Sequence, residues 1–214
     1  NLETLAAILK LAQLYLSLGK SISAKELYER AVPKMEKIID KNDFLILDSK
    51  ANLAEIYRLH GKYTLSENFF LESMRGAVEE YGEEDTLVMQ IKSNLAKLYE
   101  DTGKLNKALS LHEQVYKIEL MTLGETHPNS AGNLNNLASV HRRLGNYQKS
   151  ENLFRKSLKI MTSALGQDSS QAVSIMNNLG LLLENQGLYD EAEPLFKKAF
   201  AISSKIQGDK HPTT

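Results

Sequence analysis

Apolar residues along this chain recur at intervals of three and four, on segments that are otherwise polar. Ile91, Leu95, Leu98 and Tyr99 form one such stripe, and Ala108, Leu111, Val115 and Ile118 form a second. Both have the spacing of an amphipathic helix. Gly103 stands between them, where a residue that accepts positive φ ends the first helix. The two stripes therefore predict a helical hairpin. No window shows the strict two-residue alternation of a half-buried strand, so the predicted class is all-α.

The hairpin recurs. Gly19, Gly61, Gly103, Gly145 and Gly187 are spaced by 42 residues, as are Gly82, Gly124, Gly166 and Gly208, and Asn52, Asn94, Asn136 and Asn178. Leu11-Ala12, Leu53-Ala54, Leu95-Ala96, Leu137-Ala138 and Leu179-Gly180 keep the same step. These registers define five units at 1–42, 43–84, 85–126, 127–168 and 169–210. His211-Pro212 repeats His127-Pro128, so 211–214 reads as the start of a sixth unit, and 1–214 as a single array cut from a longer protein. A hairpin of two amphipathic helices cannot cover its own apolar faces, so neighbours must stack. The expected architecture is a right-handed α-solenoid of helix-turn-helix repeats, softer at its N-terminal end. Small residues at Ala12, Ala54, Ala96, Ala138 and Gly180 let helices approach, and Tyr28, Phe70, Phe154 and Phe196 fill the space between layers. Pro33 falls inside a predicted second helix, where its missing N–H and its ring predict a kink or an early break.

The order large-x-x-Leu-Ala/Gly-x-x-Tyr, then Gly, then Ala-x-x-x-aromatic resembles the tetratricopeptide signature. It appears as Ile8, Leu11, Ala12, Tyr15, Gly19, Ala24 and Tyr28, and as Met176, Leu179, Gly180, Leu183, Gly187, Ala192 and Phe196. The 42-residue form, with Asn135-Asn136-Leu137-Ala138, Asn177-Asn178-Leu179-Gly180 and Gly124-Glu125-Thr126-His127-Pro128, resembles the kinesin light chain type. That resemblance implies a concave face lined by the first helices, which takes extended or helical peptides.

Composition narrows the chemistry. The formal charge is −1, without the basic excess of a general nucleic-acid binder. No stretch approaches the roughly 18 apolar residues of a membrane span. Cysteine is absent, which removes disulfides, thiol nucleophiles and cysteine-ligated zinc, and fits a reducing, cytoplasmic setting. Phosphate-binding glycine loops and a Gly-x-Ser-x-Gly elbow are missing. His112-Glu113 lacks the second histidine of a zinc-protease helix, because Tyr116 stands there. His112 and His141 occupy aromatic core positions, and His127 belongs to the linker that starts the next helix. The expectation is a protein without catalysis, metal or cofactor.

What remains is the polar face of the first helices. Asn52, Asn94, Lys97, Asn135, Asn136, Arg142, Arg143, Asn177 and Asn178 are the candidate peptide-binding residues. An asparagine amide both donates and accepts, so a row of them can hold a peptide backbone whatever its side chains. The same amides could instead bond to neighbouring helices and space the repeats. Lys92, Lys97, Arg142 and Arg143 make copies three and four the most basic part of this face. The expected partner is a protein carrying a linear peptide, acidic with flanking apolar residues, and neither nucleic acid nor membrane. The alternative is a structural scaffold or self-association arm of a larger signalling or enzyme protein, working through uncapped ends.

Overall fold

The computed structural model describes residues 1–207, and the expected start of a sixth copy at His211 lies outside them, as does Gly208. The described residues form ten helices and no strand. These are α1 (Leu2–Ser17), α2 (Ser21–Met35), α3 (Phe44–Leu59), α4 (Tyr63–Tyr81), α5 (Thr86–Asp101), α6 (Leu105–Thr122), α7 (Pro128–Arg143), α8 (Tyr147–Leu165), α9 (Ser170–Asn185) and α10 (Tyr189–Gln207). Each 42-residue copy supplies a first helix (α1, α3, α5, α7, α9) and a second. The chain divides into two compact units, Asn1–Lys104 and Leu105–Thr214.

The first helices from α3 onward begin at one register position, each with a side chain that accepts from an otherwise unpaired N–H of its first turn. Asp43 accepts from Leu45 N at 2.9 Å, Asp85 from Leu87 N at 2.8 Å, His127 Nδ1 from Asn129 N at 3.1 Å, and Ser169 from Ala172 N at 3.2 Å. Such a cap stabilises a helix by about 1 kcal/mol. His127 thus fixes the entry to its helix, as its place in the linker suggested. Helices α4 and α8 stop at Gly82 and Gly166, whose φ of 85° and 84° with ψ near 167° and 166° is open to glycine alone. Pro33 lies inside α2 and does not break it at that residue; the helix ends two residues later, at Met35, after 15 residues, whereas α4 runs 19.

In the first unit the core gathers Leu5, Leu9, Tyr28, Met35, Ile46 and Ile56 from α1, α2 and α3. In the second it gathers Phe154, Met161, Ile175, Met176, Leu179 and Leu182 from α8 and α9. Burying one such side chain contributes about 1.5–3 kcal/mol. At Gly180 a Cβ would stand 2.7 Å from the ring of Phe196, so the missing side chain is what admits that ring.

Two copies add a polar stitch. Ser66 Oγ donates to the Ala54 carbonyl at 2.8 Å and Ser73 Oγ to that of Leu47 at 2.6 Å. In the second unit Ser150 and Ser157 repeat the pattern on Ala138 and Ala131, at 2.6 and 2.7 Å. All four hydroxyls are buried and satisfied, tying second helix to first within one hairpin. The hairpin turns of the first three copies share another feature. Lys20, Lys62 and Lys104 lie 5.7, 6.0 and 5.4 Å from the ring centres of Tyr15, Tyr57 and Tyr99. Each cation–π contact is worth about 0.5–1 kcal/mol at such exposed sites.

Candidate functional site

First helices lie side by side within each unit: α1 and α5 both contact α3, and α7 contacts α9. Their polar faces carry the residues singled out from the sequence. In the first unit Asn52 is half-buried on α3, and its Nδ2 donates to Asp48 Oδ2 at 3.0 Å. Burial raises the Asp48 carboxyl above its ordinary range, with the Asn52 hydrogen bond opposing. The fully buried Tyr28 of α2 faces the same pair. Burial and the Asp48 charge push its hydroxyl well above the usual tyrosine range. On α5, Asn94 is half-buried and Lys97 exposed, with Lys97 Nζ donating to Asn94 Oδ1 at 3.3 Å.

A charged clamp that single-helix spacing did not reveal ties α3 to α5. Arg58 donates Nε and Nη2 to the two Glu55 oxygens, both at 2.8 Å, and Nη1 to Asp101. The Glu55 hydrogen bond leads the influences that raise the Arg58 pKa above its ordinary value. The signal was available: Asp101 follows Arg58 by one repeat and one residue. Lys92, by contrast, does not belong to this face. Its side chain is buried on α5 and donates to Glu83, so the basic character expected of copy three rests on Lys97 alone.

In the second unit α7 brings together Asn135, Asn136, Arg142 and Arg143, and α9 carries Asn177 and Asn178. All four asparagines are half-buried, and Asn178 Nδ2 donates to Asn135 Oδ1 at 3.0 Å, from one first helix to the next. The helix-spacing role left open for these amides is therefore real for this pair. Arg142 is half-buried, with its Nε buried and without a partner, and Arg143 is exposed. His141 and His112 are buried at the aromatic positions. Burial, then the charge of Lys149, lowers the His141 pKa below the usual histidine value against the opposing pull of Glu113. Among the described residues no group of three or more His, Cys, Asp or Glu side chains is placed to hold a metal, and no helix is long and apolar enough to cross a membrane.

Tetratricopeptide repeat models match residues 5–32, 43–121, 87–163, 129–205 and 171–214. The chain belongs to the tetratricopeptide repeat family, and its fold is an all-α solenoid of five 42-residue helix-turn-helix repeats. This fold is typical of protein–protein interaction modules, which are generally non-catalytic. No curated protein matches the chain. Several solved structures do. One is a Podosopora anserina protein assigned as a kinesin light chain, with nearly identical TPR-like repeats. It has 23% identity and a TM-score of 0.77, over 97% of this chain and 98% of that one. A second is BtubC (BKLC) from P. vanneervenii, at 23% identity and a TM-score of 0.78, over 97% and 84%. A third is a Rap protein complexed with competence and sporulation factor, at 19% identity and a TM-score of 0.77, over 92% of this chain and 53% of that one. At these identities the likeness is one of fold.

Proposed function

We propose that the chain is a cytoplasmic, non-catalytic adaptor that binds a short linear peptide of a protein partner on the polar face of its first helices. The observation that carries this reading is the second-unit face. There Asn136 and Asn177 offer half-buried amides beside two arginines, one with an unpartnered buried Nε. Helix interiors disfavour asparagine, and a buried donor without a partner is costly to maintain. A peptide backbone bonded to the amides and a carboxylate at Arg142 would supply what is missing, with the exposed Arg143 adding positive charge on the same helix. The ligand is therefore acidic with flanking apolar residues, the kind of role a kinesin light chain-like cargo adaptor fulfils. The first unit contributes Asn52, Asn94 and Lys97, with its strongest cation, Arg58, already neutralised by Glu55 and Asp101. A peptide array probed with the native chain and with an Asn136→Ala/Arg143→Ala variant tests this, once the variant's helicity matches the native one. Retention of every hit by the variant refutes the assignment.

A further inference from the structure

In the second unit, the packing of α6 on α7 holds a polar pair where the equivalent packing of α8 on α9 is apolar. Glu119 of α6 and Asn133 of α7 are each 7% exposed. One repeat later the same two positions are Met161 and Ile175, both in the hydrophobic core. Asn133 Nδ2 donates to Glu119 Oε2 at 2.6 Å, whereas Asn133 Oδ1 is buried without a partner. With Glu119 ionised the pair can make one hydrogen bond, and the amide oxygen is left next to an acceptor-only group. A neutral carboxyl changes the count. Its O–H donates to Asn133 Oδ1 while its other oxygen accepts from Nδ2, so both groups are satisfied in one planar pairing.

We propose that Glu119 and Asn133 form a neutral carboxylic acid–amide pair at mildly acidic pH, so that the α6–α7 joint tightens on acidification and loosens when Glu119 ionises. The surroundings agree. Burial is the largest influence on the Glu119 carboxyl and raises its pKa, while the Asn133 hydrogen bond and the charge of His127 oppose it. Several of the other charges near this joint act elsewhere. Glu125 of the linker pairs with Lys156 of α8 at 2.5 Å, and Glu113 of α6 and Lys149 of α8 act on His141 of α7. Arg142 and Arg143 lie in the last turn of α7, more than two turns beyond Asn133, and His127 caps its start. Helix α7 also carries Asn135 and Asn136, so the joint seats the candidate binding face, but the pairing stands whether or not that face binds a peptide.

A carboxyl whose folded pKa lies above its unfolded one contributes stability that is full below the unfolded value. That stability is lost as pH rises through the folded value. The test is denaturant unfolding of the full chain between about pH 7.5 and pH 5, comparing the wild type with Glu119→Gln. The ratio of their folding constants should move severalfold in favour of the wild type on acidification, because only the wild type carries the carboxyl whose titration burial raises. Because both chains share every other titrating group, a ratio that stays constant overturns the proposal. A second variant, Glu119→Met/Asn133→Ile, copies the next joint and should show the same relative gain by the wild type. In the wild type alone, the ¹³C shift of the Glu119 carboxyl should titrate above the ordinary glutamate range, and titration at the ordinary value overturns the proposal without any variant.

Discussion

The same substitution, glycine to alanine, should act with opposite sign at two places in the second unit. Gly166 ends α8 at φ 84° and ψ 166°, with its N–H donating to the Thr162 carbonyl at 3.1 Å. A Cβ built there meets no atom within 4 Å, so any cost is that of the backbone and not of a clash. Residues other than glycine are held in that region at a cost of about 1–3 kcal/mol. Gly132 lies inside α7, and a Cβ there also meets nothing within 4 Å. Alanine at an open helical position gains about 0.5–1 kcal/mol by restricting the unfolded chain. Gly166→Ala should therefore lower, and Gly132→Ala raise, the urea midpoint followed by far-UV circular dichroism. The separation between the two variants should be about 1.5–4 kcal/mol on these ranges. Equal shifts in one direction, or a neutral Gly166→Ala, would refute the backbone reasoning.

Other outcomes follow from the charged and titrating groups. Lys50 is buried at a position that is Ile8 and Met176 in other copies, and it bridges Glu36 at 2.5 Å and Glu72 at 2.7 Å. Both carboxylates reach water, so Lys50→Met should leave stability unchanged or raise it by up to about 2 kcal/mol, and a larger loss in urea unfolding would contradict this. His141 has a folded pKa lowered chiefly by burial, so its contribution is full above the unfolded histidine value and is lost as pH falls through the folded one. His141→Tyr, which copies Tyr57 and Tyr99, should flatten that acid limb of the melting temperature between about pH 7 and pH 5.5. Tyr57 donates its hydroxyl to Glu29 at 2.7 Å, and burial, that bond and the Glu29 charge push its pKa up to about 12. Its stabilisation is full below about pH 10 and is lost as pH rises towards about 12, so Tyr57→Phe should lose less stability over that interval, with tyrosinate absorbance marking the titration.

Much of this fold is written in the sequence because a repeat states each rule several times. One Gly103 would be weak evidence for a turn, but five at equal spacing, beside Leu-Ala pairs, leave no other reading. Polar residues were harder to place. Lys92 looked like a groove cation because it lies on a first helix, yet it follows Val88 by four and Ile91 by one, on the buried side, where its aliphatic stem packs and only its ammonium finds Glu83. Ser66, Ser73, Ser150 and Ser157 do not stand out in the pattern of any one helix. Their alternation with Ala24, Ala31, Ala192 and Ala199 marked them as core positions bonded to carbonyls. The Arg58–Asp101 and Asn178–Asn135 bonds span neighbouring first helices, which the pattern of one helix does not encode. Glu119 and Asn133 were legible only by setting them against Met161 and Ile175.

The most direct measurement is peptide capture by the native array beside the Asn136→Ala/Arg143→Ala variant of matched helicity. Binding of acidic peptides with apolar flanks by the native chain, lost in the variant, is the predicted result. Capture that the variant retains in full would contradict the assignment of the first-helix face.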